Sequence, residues 1–310
     1  MSELSSAAAG IDVTREIGRV RGQAPGPTLI VVAGVHGNEP AGVEAARRLL
    51  AHFARGTLAG ELVALAGNVE GLRHGVRHRA RDLNRGWTDA SMTRIAALPA
   101  AARKDEDAEQ HELWSAVEEA RARARGPVFL ADLHTSSAAG VPFVLYRETP
   151  EQHDFVRVFP IPVINGIVEK VEGVLSEFCC ARGIVAFSVE GGQHEAPSSQ
   201  DALEAILWLS MQRAGLAYVG AQVERAAQLL DGMRAGLPRV VDVQSRHAIT
   251  PEDAFVMEPG FRNIERVQEG QLLARDRRGE VRAAEDGVLV LPLYQKLGNE
   301  GFFWGRERRS

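Results

Sequence analysis

The sequence predicts an α/β protein: a mixed, mostly parallel sheet flanked by helices, followed by a small antiparallel β-rich unit. Three observations lead there. Apolar runs of strand length alternate with helix-patterned stretches through the first two-thirds of the 310 residues. Two of those runs end in a histidine followed by small polar residues, as expected of a site at the carboxyl ends of parallel strands. From about Leu237 the pattern changes to short β-prone runs, with glycines at 260, 270, 279, 287, 298 and 301.

The first strand spans 28–35, apolar throughout between Pro27 and the loop that follows, so both of its faces are buried. Pro40 to Phe53 reads as a helix with Val43, Ala46, Leu49, Leu50 and Phe53 on one face. Glu61 to Asn68 is a second strand. Residues 90–108, rich in alanine, arginine and acids and broken by Pro99, read as a surface excursion. The acidic stretch at 105–112 reads as a solvated helix start, running into a helix over Gln110 to Arg125. Strands follow at 127–133 and Val141 to Tyr146, a helix at Glu151 to Val158, and a strand at 183–189. Gln200 to Arg213 is a helix with Leu203, Ile206, Leu207 and Leu209 inward. The boundaries fall at 1–235 for the α/β unit and 236–310 for the β-rich unit.

Chemistry concentrates at the strand ends. His36 and Glu39, three positions apart in His36-Gly37-Asn38-Glu39, offer a nitrogen and a carboxylate to a zinc ion that needs a third protein ligand and a water. His134, at the end of the strand Val128 to Leu133, is the best third candidate; taken singly, each histidine could equally be a structural one. A hydrolytic zinc site also needs a base and a cation for the developing oxyanion. Glu190 follows an apolar strand, where an unpaired acid is costly unless employed, and Gly191 and Gly192 leave space beside it. Arg77 and Arg85 supply fixed positive charge, and Arg85 with Asn84 suits a two-point grip on a carboxylate.

The set GVHGNEPAG (34–42), Arg77 five residues before DLNR (82–85), DLHTSS (132–137) and VEGG (189–192) resembles the succinylglutamate desuccinylase/aspartoacylase family, a branch of the zinc carboxypeptidase-like hydrolases. The motifs stand in the family's order, and the likeness runs from about residue 27 to the end. The resemblance implies one zinc ion on His36, Glu39 and His134, with Glu190 as general base and proton shuttle. It implies Arg77 as the group that polarises the scissile carbonyl, and Asn84 with Arg85 as the pair holding the substrate's free carboxylate. Asp82 would accept a hydrogen bond from the ring of His36 and fix its tautomer. Tyr294 resembles, more loosely, a substrate-binding tyrosine donated by a C-terminal barrel-sandwich module that caps the site. The family's further substrate arginine, upstream of the catalytic glutamate, falls in register on Cys180, with Arg182 nearby.

Composition agrees with a soluble enzyme. Hydrophobic residues make up 45% and charged residues 25%, and a net charge of −5 argues against a nucleic-acid surface. Lysine occurs only at 104, 170 and 296, so Schiff-base chemistry has little to work with. Cys179 and Cys180 are adjacent, poorly placed for an unstrained disulfide, and no base stands beside them for nucleophilic catalysis. The start lacks the basic and apolar regions of a signal peptide, and no apolar stretch approaches the ~20 residues of a membrane span. A cytoplasmic address, with neither membrane nor nucleic-acid partner, is the expectation; a homo-oligomer is left open. His194, four residues after Glu190, lies near the expected site, whereas His52, His74, His78, His111, His153 and His247 read as surface or structural. The reading is a zinc amidohydrolase acting on a small N-acyl amino acid or related carboxylate-bearing amide. The alternatives are a zinc carboxypeptidase on short peptides, which the same carboxylate grip would serve, and a non-catalytic metal-binding protein on this fold.

Overall fold

A computed structural model describes residues 10–53, 58–217 and 220–308. In chain order its elements are β1 (Glu16–Arg21), β2 (Ala24–Ala33), α1 (Ala41–Ala51), β3 (Ala59–Ala66), α2 (Val69–His74), α3 (Asp89–Ala97), α4 (Glu106–Arg123), β4 (Val128–Ser136), β5 (Phe143–Leu145), α5 (Pro150–Val156), β6 (Val163–Asn165), α6 (Leu175–Cys180), β7 (Val185–Gln193), α7 (Pro197–Ala214), α8 (Gly220–Arg234) and β8 (Val240–Ala248). Six further strands close the chain: β9 (Val256–Met257), β10 (Glu265–Val267), β11 (Leu272–Asp276), β12 (Gly279–Arg282), β13 (Gly287–Val290) and β14 (Glu300–Glu307).

The main sheet has eleven strands in the order β1-β3-β2-β4-β7-β5-β6-β8-β14-β13-β10. Its centre, β3-β2-β4-β7, is parallel. The apolar run of β2 is continuous because the strand is buried on both sides. Leu29, Val31 and Ala33 face a core shared with α1 and α7, while Ile30 and Val32 face a second core with α4 and α6. On α4, Leu113, Val117 and Ala120 recur at helical spacing and are fully buried. No described helix is long and apolar enough to cross a membrane.

Three expectations are refined. Residues 90–108 lie largely at the surface, as expected, but carry regular structure: α3 runs through Ala97, with the Thr88 hydroxyl accepting from Ser91 N–H at its start and Ile95 wholly buried. Two of the acids at the head of α4, Glu106 and Glu109, are not solvated. Glu106 accepts backbone N–H bonds from Arg79, Ala80 and Arg81, and Glu109 accepts from Val69 and Glu70 while pairing with Arg15. Burial raises the pKa of Glu106, but those three donors outweigh it and hold the carboxyl below its ordinary range. Finally, the C-terminal strands are antiparallel among themselves, as expected, and most of them continue the main sheet. β8 pairs in parallel with β6, so β14, β13 and β10 extend the main sheet, and only β12-β11-β9 form a separate one. The join is apolar: Val241 and Val243 pack with Phe143, Ile164 and Phe303 in one cluster.

Candidate metal centre

The loop after β2 is shaped by close backbone approach. Gly34 sits at φ +71°, and a Cβ on Gly37 would lie 1.9 Å from the Gly71 carbonyl carbon. Glu39 N–H donates to the His36 carbonyl at 3.1 Å, a tight turn that leads through Pro40 into α1. The turn presents His36 and Glu39 to the same spot. His134 arrives from β4, and Glu190 lies directly across from it in the β4–β7 register.

The Glu39 carboxylate lies between the two rings: Oε1 is 2.9 Å from His36 Nδ1 and Oε2 is 3.1 Å from His134 Nδ1. One ligand atom from each of the three residues lies within 4.8 Å of the others, and all three side chains are buried. Each ring's far nitrogen meets an aspartate, His36 Nε2 at 3.1 Å from Asp82 and His134 Nε2 at 3.0 Å from Asp132. Two imidazoles turned inward by outer carboxylates, with a third carboxylate between them, suit a divalent cation of the zinc class. The buried Oε2 of Glu190, which has no hydrogen-bond partner, lies in the same cavity.

The charges follow from this packing. Burial raises the pKa of Glu39, but His36 and His134 outweigh it and hold the carboxyl well below its ordinary range. Burial lowers His134, yet Asp132 and Glu39 carry it well above the usual imidazole value. Glu190 is pushed up to about 8, chiefly by burial, with Glu39 adding to the effect and His134 and Arg77 opposing it.

Arg77 reaches Asp82 at 2.8 Å and Glu39 at 3.6 Å, so Asp82 joins the His36 ring to the guanidinium. Burial pushes the carboxyl of Asp82 up, but His36 and Arg77 drive it far below the usual carboxylate range. Asn84 directs its oxygen to Leu175 N–H at 2.9 Å, leaving its amide nitrogen 3.4 Å from His134 Nε2. Arg85 lines the cavity and pairs with Glu300 of β14 at 2.9 Å.

Tyr294 is a correction. Its backbone N–H donates to Ser137, but its ring packs in the C-terminal cluster. Its hydroxyl donates to the Glu258 carbonyl at 2.7 Å and accepts from Phe261 N–H at 2.8 Å. The ring does not line the cavity; the next residue, Gln295, does. Arg182 is also elsewhere, with its guanidinium carbon 3.4 Å over the Phe178 ring centroid and paired to exposed Asp89. His194 lies behind the candidate ligands, with Nδ1 2.8 Å from the Thr135 hydroxyl and Nε2 3.4 Å from Gln295. Ser136 donates to the Ala138 carbonyl and accepts from Asn263, a structural post rather than a nucleophile. Burial pushes Cys179 well above the ordinary thiol range and Cys180 to about 11, so neither is poised as a nucleophile.

Three residues at the site were not singled out in the sequence: Asp132, Gln295 and Glu300. Asp132 had a signal, since it stands two positions before His134 on the same strand face. Glu300, more than two hundred positions from its partner Arg85, had none. The cavity measures about 130 Å³, room for a small organic molecule rather than a folded chain.

Residues 25–208, more than half of the chain, match a model of the succinylglutamate desuccinylase/aspartoacylase catalytic domain. A succinylglutamate desuccinylase of Burkholderia orbicola is 36% identical over 116 residues, covering 37% of this chain and 32% of that protein. One from Pseudomonas aeruginosa is 44% identical over 62 residues, covering 19% of each, so the chain spans about a fifth of the length of that relative. Among solved structures, a succinylglutamate desuccinylase/aspartoacylase from Rhodobacter sphaeroides is similar with a TM-score of 0.69 at 18% identity, covering 94% of this chain and 88% of that one. Murine aminoacylase 3 is similar with a TM-score of 0.55 at 16% identity, covering 92% and 97%. These structural likenesses carry the fold.

Proposed function

Because the chain belongs to the succinylglutamate desuccinylase/aspartoacylase family, we propose that it is a zinc-dependent amidohydrolase that removes the acyl group from a small N-acyl amino acid or related carboxylate-bearing amide. The observation that carries the reading is the convergence of His36 Nδ1, His134 Nδ1 and the Glu39 carboxylate beside the unpartnered oxygen of Glu190. His36, Glu39 and His134 would hold one zinc ion. When bound there, such a cation supplies Lewis acidity and makes a water acidic enough to ionise near neutral pH.

The protein's own groups do the rest. Glu190 accepts the proton of the attacking water and passes it to the leaving nitrogen, a role favoured by a pKa displaced toward neutrality. Arg77, held by Asp82, faces the oxygen on which charge develops. Asn84 and Arg85 take the substrate carboxylate, Arg85 through its guanidinium and Asn84 through its free amide hydrogen. Asp82 and Asp132 keep both imidazoles in the tautomer whose Nδ1 faces Glu39. In this reading residues 1–235 form the catalytic unit, 236–310 cover its mouth through Leu291, Gln295 and Glu300, and the chain works in the cytoplasm.

The test is elemental analysis of the purified protein, followed by a panel of N-acyl amino acids and short peptides with a chelator control. Amide hydrolysis that needs zinc and favours the N-acyl amino acids is expected. Activity surviving complete metal removal, or faster cleavage of peptides, would overturn it.

A further inference from the structure

The cavity wall is mixed: beside the candidate ligands and neutral polar groups such as Ser137, Ser188 and Gln295, a large part of it is hydrocarbon. Leu145, Ile167, Val171, Val174, Leu291 and Phe303 line it. All six belong to, or pack against, the single apolar cluster that joins β5 to the C-terminal strands. Only two cationic side chains other than histidine line the cavity among the described residues, Arg77 and Arg85. Both already have acidic partners. Arg77 is held by Asp82 at 2.8 Å, and Arg85 meets Glu300 at 2.9 Å, a carboxylate that also lies 3.5 Å from Arg246. Arg182, upstream of Glu190 in sequence, lies on the Phe178 ring and pairs with Asp89.

A substrate with one carboxylate can use Asn84 and the face of Arg85 that Glu300 leaves open. A second carboxylate would find no unpaired cation among the described lining residues: besides branched aliphatic side chains it would meet only neutral donors, such as Ser137, Ser188 and Gln295. Burial of an ionised carboxylate without a charged partner is unfavourable, whereas an alkyl or aromatic group gains from contact with the aliphatic wall. Resting on the amidohydrolase reading above, we propose that this site selects amides carrying a single carboxylate and an otherwise apolar body, such as N-acyl derivatives of leucine, methionine or phenylalanine. It discriminates against the diacid substrates N-acetyl-aspartate and N-succinyl-glutamate.

The experiment measures kcat/KM of the zinc-loaded protein for N-acetyl-leucine, N-acetyl-aspartate and N-succinyl-glutamate. Calorimetry then measures binding of the same three compounds to zinc-loaded Glu190→Gln. N-acetyl-leucine is expected to lead both diacids by at least tenfold in both measurements. Val171→Arg, which places a cation on the wall, is expected to shift the ratio toward the diacids; Glu300→Gln, which frees Arg85, should shift it the same way if Val171→Arg fails to fold. Equal or better use of a diacid by the unaltered protein overturns the specificity and leaves the hydrolase reading intact. If no amide is cleaved, the hydrolase reading falls, and the calorimetric order alone decides: N-acetyl-leucine bound more tightly supports the apolar site, a diacid bound more tightly overturns it.

Discussion

Glu190 and His134 stand opposite each other on adjacent strands, and in the metal-free protein each holds a proton that a cation would displace. Glu190 titrates near 8 because burial disfavours its charge, and His134 stays protonated past its ordinary range because Asp132 and Glu39 favour the imidazolium. A divalent cation reverses both preferences. Zinc binding at pH 7 is therefore expected to release protons, and affinity should rise with pH as His134 gives up its proton. Calorimetry in buffers of different ionisation enthalpy checks this, and Glu190→Gln should release fewer protons than the unaltered protein. The same variant should keep one zinc and lose about a hundredfold or more in turnover, because it cannot accept a proton. Asp132→Asn should fold but weaken zinc binding by about 10- to 100-fold, measured by competition with a chromophoric chelator, because His134 loses the acceptor that sets its tautomer. Retained affinity in that variant would show the aspartate to be a packing residue. At this scale the sequence was legible where a side chain's chemistry is unusual for its place. An acid after an apolar strand drew attention to Glu190, and histidines after apolar runs drew it to His36 and His134. Tyr294 misled because its neighbours Leu293 and Gln295 line the cavity while its own ring turns into the C-terminal apolar cluster, its hydroxyl held by the Glu258 carbonyl.

Elements were legible in proportion to their burial. β2, β4 and β7 are continuous apolar runs because helices cover both of their faces. By contrast, α3 has a single fully buried side chain, Ile95, and advertises itself only through the Thr88 cap. The head of α4 misled for a different reason. Glu106 and Glu109 are acids whose partners, the backbone N–H groups of residues 69–70 and 79–81, lie far back in the chain and leave no trace in local pattern. Those bonds fasten the loop that carries Arg77 and Asp82. Glu106→Ala would remove a charged acceptor from three part-buried donors, each bond being worth about 1 kcal/mol. A drop in the thermal midpoint is expected, with loss of zinc affinity beyond what a surface substitution causes. Gly37→Ala strikes the same loop from the other side, because the new Cβ must displace the Gly71 backbone. Protein recovered from that variant should have a lowered midpoint and less than one zinc per chain. An unaltered stoichiometry would mean that the loop can separate from Gly71 without moving His36.

For the molecule as a whole, the position of the site governs what metal removal does. The ligands come from the β2–α1 loop and the end of β4, at the carboxyl edge of the sheet, while the apolar clusters lie between the sheet and its helices and under the C-terminal strands. The fold therefore does not depend on the ion as a small zinc domain does. Without an ion, the Glu39 carboxylate between two imidazoles is expected to serve as a partial substitute, with His134 held protonated beyond its ordinary range. That substitute is pH-dependent. Glu39, its pKa held low, keeps its stabilising charge above the ordinary carboxylate range and loses it only in strong acid. His134, its pKa held high, contributes below its ordinary value and loses its contribution as pH rises through its elevated one. Chelated protein is expected to keep its far-ultraviolet circular dichroism at 25 °C and neutral pH but to melt earlier. Zinc at about a thousand times its dissociation constant should restore roughly 4 kcal/mol, several degrees in a chain of this size. The gap between the two melting curves should widen as pH rises, because the proton-based substitute weakens while zinc binding strengthens. Collapse of the dichroism on chelation would show instead that the ion, rather than the packed sheet, holds the carboxyl edge together.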